Sequence, residues 1–167
     1  KSKIESKMKF LEVNNLDIEY QTRKETIYAS KNVSFNLQRG EIIGIVGESG
    51  SGKSTVANAI INLIDKPGII TNGSIKLDGA ELRNNTDIIK SIRGKKIGFV
   101  FQDPQTSLNP LFKIKDQLIE TIQTHSDLNY KEAKTKSIKL LREVGIENPE
   151  KRIDDYPHQF SGGMRQR

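Results

Sequence analysis

The 167-residue chain contains no cysteine. That excludes disulfides, thiolate zinc sites and iron–sulfur clusters from this stretch, and it fits a reducing compartment. Long apolar runs are also lacking. The longest, "EIIGIVG", falls far short of the roughly 20 residues that a membrane-spanning helix needs. The N-terminal "KSKIESKMKF" is basic but has no hydrophobic region behind it, so it does not read as a signal peptide. Residues 1–8 read as a tag or a disordered lead, with Met8 a candidate natural start. There is no internal repeat, no low-complexity segment and no basic block longer than two residues. What is present is 34% apolar and 29% charged, enough for one domain with a sizeable core and a well-charged surface. The net charge of +6 leaves two readings open: scattered lysines on a solvated surface, or attraction to nucleic acid or an anionic membrane.

Hydrophobic periodicity divides the chain. "FLEVNNLDIEY" alternates and reads as strands around an Asn-Asn turn. "NVSFNL", 32–37, alternates again, with Val33, Phe35 and Leu37 on one face. "IIGIVG", 42–47, is apolar on both faces, as in a strand buried in a mainly parallel sheet. From Ser54 a helical stripe runs through Val56, Ala59, Ile60 and Leu63. "ITNGSIKLDG" reads as a hairpin turning at Asn72-Gly73. "TDIIKSIRG" is a short helix with Thr86 as cap and Gly94 at its end. "KIGFVFQ", 96–102, is another apolar strand. The character then changes. A proline-containing loop leads into two amphipathic helices, roughly 113–125 and 130–144, the second with Tyr130, Ala133, Leu140, Leu141 and Val144 near one face. The expected division is a β and α/β part over 9–102 and a helical part over 103–167.

"GESGSGKS" fits G-x-x-x-x-G-K-[ST] with Gly47, Gly52, Lys53 and Ser54. Such a loop wraps a phosphate chain with its backbone N–H groups pointing inward, and inward side chains would block it. The helix that follows turns its positive end to the same phosphates. Lys53 adds a full charge, and the Ser54 hydroxyl is a ligand for Mg²⁺. The binding set is Gly47, Glu48, Ser49, Gly50, Ser51, Gly52, Lys53, Ser54 and Thr55. The chain closes on a second glycine-rich loop, "HQFSGGMRQR", which carries no lysine; Ser161 there is also placed to cap a last helix.

Three segments in order, "GESGSGKS", "FVFQDPQTSLNP" and "YPHQFSGGMRQR", resemble the ATP-binding subunits of ABC transporters. "FQDPQTSLNP" and "VSFNLQRGEIIGIVGESGSGKS" are most similar to the dipeptide, oligopeptide and nickel importer branch. The resemblance runs from about Phe10 to the end. It implies an α/β fold: the P-loop NTPase core of an ABC ATPase, with an antiparallel β subdomain and a helical subdomain. It implies ATP and Mg²⁺ as cofactors, with Lys53 and Gln102 catalytic and with Ser54 and Gln102 toward the metal. Adenine would stack on Tyr20, or on Tyr28 if the register shifts across the 21–26 loop. Two such subunits would pair head to tail, so that Ser161, Gly162, Gly163 and Met164 act on the partner's ATP.

The implied partners are that second ATPase subunit, transmembrane permease subunits and, indirectly, an extracellular substrate-binding protein, with no nucleic acid. The implied place is the cytoplasmic face of the membrane, held peripherally, and the implied cargo is peptides or nickel-type complexes. The family pattern continues with a strand ending in Asp-Glu and a histidine loop. Neither is among the 167 residues, so this stretch by itself is expected not to turn ATP over. Two alternatives stay open: a soluble ABC protein acting on the ribosome or nucleic acid, and a nucleotide-binding module without turnover.

Overall fold

Alternating residues make the sheet found among the described residues. In the computed structural model, which describes residues 9–167, strand β1 (Lys9–Gln21) lies between β2 (Thr26–Gln38) and β3 (Gly68–Leu77), antiparallel to both. A two-residue strand, β4 (Ala80–Glu81), extends the order to β2-β1-β3-β4. The lead at 1–8 lies outside the described residues. Val13, Leu16 and Ile18 of β1 and Ile75 and Leu77 of β3 turn inward. They meet Val56 and Ala59 of helix α1 (Lys53–Ile60) and Ile89 and Ile92 of helix α2 (Thr86–Ile92). Val33 and Phe35 of β2 pack against the edge of this core.

Neither expected turn interrupts a strand. The register of β1 shifts between Val13 and Leu16 against β2, and between Asn14 and Asp17 against β3, so Asn14-Asn15 forms a bulge within one continuous strand. Asn15 takes φ +48, and its N–H and side-chain amide donate to Ser34 Oγ (2.8 Å) and Asn32 Oδ1 (2.6 Å). Gly73 sits across from the bulge at φ +91. A Cβ there would stand 2.5 Å from the Asn14 oxygen and 2.6 Å from that of Asn15. The glycine therefore admits a close strand instead of turning a hairpin. The chain turns later, at Asp78-Gly79, where φ is +52 and +80.

Helix ends also move. α1 stops before Leu63 because Asn62 enters the left-handed region (φ +52), with Leu63 N–H donating to Asn58 O at 2.8 Å. Leu63 is exposed. Asn85, not Thr86, caps α2 by accepting from Ile88 N–H at 3.2 Å.

The two apolar segments read as buried strands are not strands. Among the described residues every strand pair is antiparallel, and neither 42–47 nor 96–102 joins a ladder. Ile42 is 97% exposed, Val46 92% and Val100 83%. A parallel strand needs a hydrogen-bonding neighbour, and apolar composition alone supplies none. One isolated parallel bridge joins Arg93 and Ile97.

By contacts the chain divides between Ile97 and Gly98, where the sequence pattern suggests 102 and 103. The second unit holds α3 (Ile114–Thr124), α4 (Tyr130–Glu143), α5 (Pro149–Arg152) and α6 (Gly162–Gln166) around Ile114, Leu141, Ile146, Ile153 and Phe160. α4 opens with a full capping box between Asn129 and Glu132. Its buried stripe is Ala133, Ser137 and Leu141, while Tyr130, Leu140 and Val144 are exposed. The polar Ser137 sits inside because its hydroxyl donates to Ala133 O at 2.8 Å. The start of α3 is fastened to the segment before α6: Ile114 N–H donates to Asp155 O (2.9 Å) and Lys115 N–H to Ile153 O (2.8 Å).

Candidate functional site: a phosphate loop bordered by two tyrosines

The phosphate loop belongs to the first unit. Gly50 and Gly52 hold φ +81 and +86, which side-chain-bearing residues rarely adopt. Gly52 has a second constraint, because a Cβ there would fall on the backbone oxygen of Ala29 in β2. The loop is thus pressed against strand backbone, and α1 begins at the next residue, with Val56 N–H donating to Gly52 O at 2.9 Å. The Lys53 ammonium lies over the loop. It donates to Gly47 O (2.9 Å), Glu48 O (2.6 Å) and Ser51 Oγ (3.1 Å). These are neutral acceptors, and phosphate oxygens offer the same three protons charged ones, which make stronger hydrogen bonds.

A pocket of about 360 Å³ opens beside the loop, lined by Gly50 to Thr55 and by Tyr20, Ile27, Tyr28 and Ala29. Tyr20 and Tyr28 therefore border the same space as the loop. Tyr20 lies against Gly68, where a Cβ would come within 2.8 Å of its ring. Tyr28 is exposed, with Lys31 Nζ 5.5 Å from its ring centre. Ile27 and Ala29 have no motif to announce them. They reach the loop only because β2 folds back along β1, with Tyr20 opposite Ile27.

Gln102, Ser161, Gly162, Gly163 and Met164 fall in the second unit. Gln102 is exposed, just ahead of a 3₁₀ turn at Pro104–Ser107. Ser161 caps α6: its Oγ accepts from Met164 N–H at 3.2 Å, and its carbonyl accepts from Arg165 N–H at 3.0 Å. The Met164 side chain packs on the helical core. Gly163 faces open space, with nothing within 4 Å of where a Cβ would stand. Arg167 reaches back to donate to Gly145 O at 2.8 Å and so ties the last turn to the end of α4.

Among the described residues no three His, Asp or Glu side chains gather to hold a metal. Ser54 borders the pocket, and its hydroxyl is a hard oxygen donor of the kind Mg²⁺ takes when it arrives on phosphates. The residues present fit that ion in company with a nucleotide.

Comparison with known proteins agrees with this geometry. The ABC transporter family profile matches residues 30–167. The oligopeptide transport ATP-binding protein OppD of Bacillus subtilis is 44% identical over 161 residues, which is 95% of this chain and 45% of that protein. The dipeptide transport ATP-binding protein DppD of Haemophilus influenzae is 40% identical over 161 residues, 96% of this chain and 49% of that protein. A dimeric ATP-binding cassette in a post-hydrolysis state, bound to ADP and Pi, matches with a TM-score of 0.80 at 31% identity, over 93% of this chain and 65% of that one. The fold and the loop define an α/β ATP-binding cassette with an antiparallel β subdomain and a helical subdomain. The chain belongs to the ABC transporter family. It spans about half the length of the curated relatives it matches.

Proposed function

We propose that the protein is the ATP-binding subunit of an ABC importer, and that it couples binding and hydrolysis of ATP to uptake of peptides. The observation that carries this is the phosphate loop with Lys53 across it and two tyrosines at its side. The oligopeptide and dipeptide transport names of the relatives favour peptides over a nickel-type complex as cargo. Adenine would stack on Tyr20 or Tyr28, Lys53 and the loop amides would take the phosphates, and Ser54 would supply its hydroxyl to Mg²⁺. Gln102 would be the second side chain offered to the metal and the attacking water. The Ser161–Met164 segment acts on the ATP of a second subunit placed head to tail, and the open space at Gly163 suits an approach from outside. The helical part and the segment near "QDPQTSLNP" receive the permease subunits, and a substrate-binding protein acts through them. The subunit sits peripherally at the cytoplasmic face; among the described residues no helix is long and apolar enough to cross a membrane.

Mixing two variants of the full-length protein tests the arrangement. Gly162→Asp puts a carboxylate against the partner's γ-phosphate, where like charges repel, so hydrolysis and ATP-driven closure fail. ATP binding to one isolated subunit stays near normal, because its own loop is intact. Lys53→Ala loses binding first. A mixed pair places both lesions in one site and leaves the other whole, so ATP-dependent dimerisation, followed by light scattering, reappears in the mixture. Loss of ATP binding by folded, isolated Gly162→Asp would falsify the two-subunit role. Uptake of labelled dipeptides and of nickel, compared in a deletion strain, decides the cargo.

A further inference from the structure

Arg93 lies outside every motif that points to nucleotide binding, yet it touches the helix that carries the phosphate-binding side chains. We propose that Arg93 is a positioning residue for the phosphate loop: its guanidinium holds the far end of α1, whose first turn bears Lys53 and Ser54. The proposal rests on the reading of that loop as an ATP site.

α1 has only eight residues, and the chain leaves it at Ile61 and Asn62, whose carbonyls lie beyond the helix's own hydrogen bonds. Arg93 supplies donors to both of these carbonyls. Its Nε donates to Ile61 O at 2.8 Å, and its Nη2 donates to Asn62 O at 2.8 Å and to Ile61 O as well. A cation at the C-terminal end of a helix also meets the negative end of its dipole. The Arg93 backbone is itself fixed. Arg93 N–H donates to Ile89 O at 3.0 Å, and the next turn closes on Ile92 O, which accepts from Lys96 N–H (2.8 Å) and Ile97 N–H (3.1 Å). Arg93 is half-buried and Ile61 buried, so the bonds to Ile61 O are partly sheltered from water, while the bond to Asn62 O is exposed.

The lever is short. A helix of this length spans roughly 12 Å, so a tilt of about 5° at the held end moves the loop end by about 1 Å. A displacement of that size can cost about a hundredfold where geometry must match a ligand. Arg83 makes a useful contrast. It also collects backbone carbonyls, those of Gly73 (2.6 Å), Ile70 (3.0 Å) and Thr71 (3.2 Å), but all of them belong to β3 and none to α1.

The test uses the full-length protein with four substitutions, Arg93→Met, Arg93→Lys, Arg83→Met and Lys53→Ala. Calorimetric ATP affinity is measured well below each melting temperature, and the nucleotide-free Tm is recorded beside it. Arg93→Met should weaken ATP binding by about tenfold or more, within the bound set by misplacement. Arg93→Lys, whose ammonium can donate to the same carbonyls, should recover most of that affinity. Arg83→Met should lower the Tm and leave ATP affinity near wild type. Wild-type affinity in Arg93→Met overturns the proposal, and so does equal weakening in Arg83→Met, which would mark a general loss of stability. If Arg93→Met does not fold, Arg93→Lys is compared with Arg93→Gln, and equal affinities in the two overturn it. Should wild type and Lys53→Ala bind ATP alike, it is the ATP reading of the loop that fails; a normal difference between them with Arg93→Met unchanged removes only the role of Arg93.

Discussion

The Lys53 ammonium is the full positive charge that the phosphate loop holds over its own carbonyls. Replacing it with alanine leaves the amides in place and removes the charge, so Lys53→Ala should weaken ATP binding by about tenfold or more. Calorimetry on folded protein checks this, and an unchanged affinity would place the phosphates elsewhere. Gly52→Ala acts on shape instead. Its φ of +86 is strained for alanine, and its Cβ has to share space with the Ala29 oxygen. The loop must shift away from β2, so both Tm and ATP affinity should fall, by more than the roughly 1 kcal/mol expected of conformation alone. A Gly52→Ala protein with wild-type Tm would show that the loop does not rest on β2.

At the scale of elements, the helical unit is held by helix caps and by ion pairs, of which Lys115–Asp154 joins two elements far apart in sequence. Asn129→Ala breaks the capping box of α4 and should destabilise the protein by about 1 kcal/mol, read from urea unfolding by helical circular dichroism. Lys115 and Asp154 join α3 to the segment before α6 at 2.6 Å. The hydrogen bond from Lys115 holds the Asp154 carboxyl below its ordinary range, and the same bond raises the Lys115 ammonium. For Asp154, stability is present above the unfolded value of about 3.9 and is lost as pH falls through the lower folded value. For Lys115, it is present below about 10.4 and is lost as pH rises through the raised folded value. Asp154→Asn should therefore lower the urea midpoint at neutral pH, and the difference from wild type should close in strong acid. A difference that persists unchanged at pH 2 would show that packing, not charge, is at stake. The pair is largely in contact with water, so the effect is modest and shrinks with salt.

For the whole molecule, the apolar stretch at 42–47 and residues near Val100 present large hydrophobic side chains to solvent. Apolar surface of that kind binds dyes and promotes self-association. The isolated 167-residue chain should enhance ANS fluorescence and elute as oligomers at micromolar concentration, and Ile42→Lys with Val46→Lys should reduce both. A chain that stays monomeric and binds no dye would mean that these segments are covered in solution. The same stretches mark the limit of pattern reading. "IIGIVG" and "KIGFVFQ" carry the composition of buried strands, but composition does not provide the neighbour that a ladder requires. The Asn-Asn and Asn-Gly dipeptides carry the composition of turns, and here they face each other as bulge and accommodating glycine.

By itself the sequence determined the phosphate loop, the helix behind it and the Ser161 cap, because each is built from consecutive residues whose φ preferences and side-chain lengths act locally. It also determined the family, through three motifs in a fixed order. Only the tertiary structure decided that Tyr20 and Tyr28 border the loop together, that Gly52 is closed against Ala29, and that Arg93 grips the end of a helix more than thirty residues earlier. Those contacts join positions far apart in the chain. They depend on strand register and on where a helix stops, and both are settled by packing that no local preference encodes.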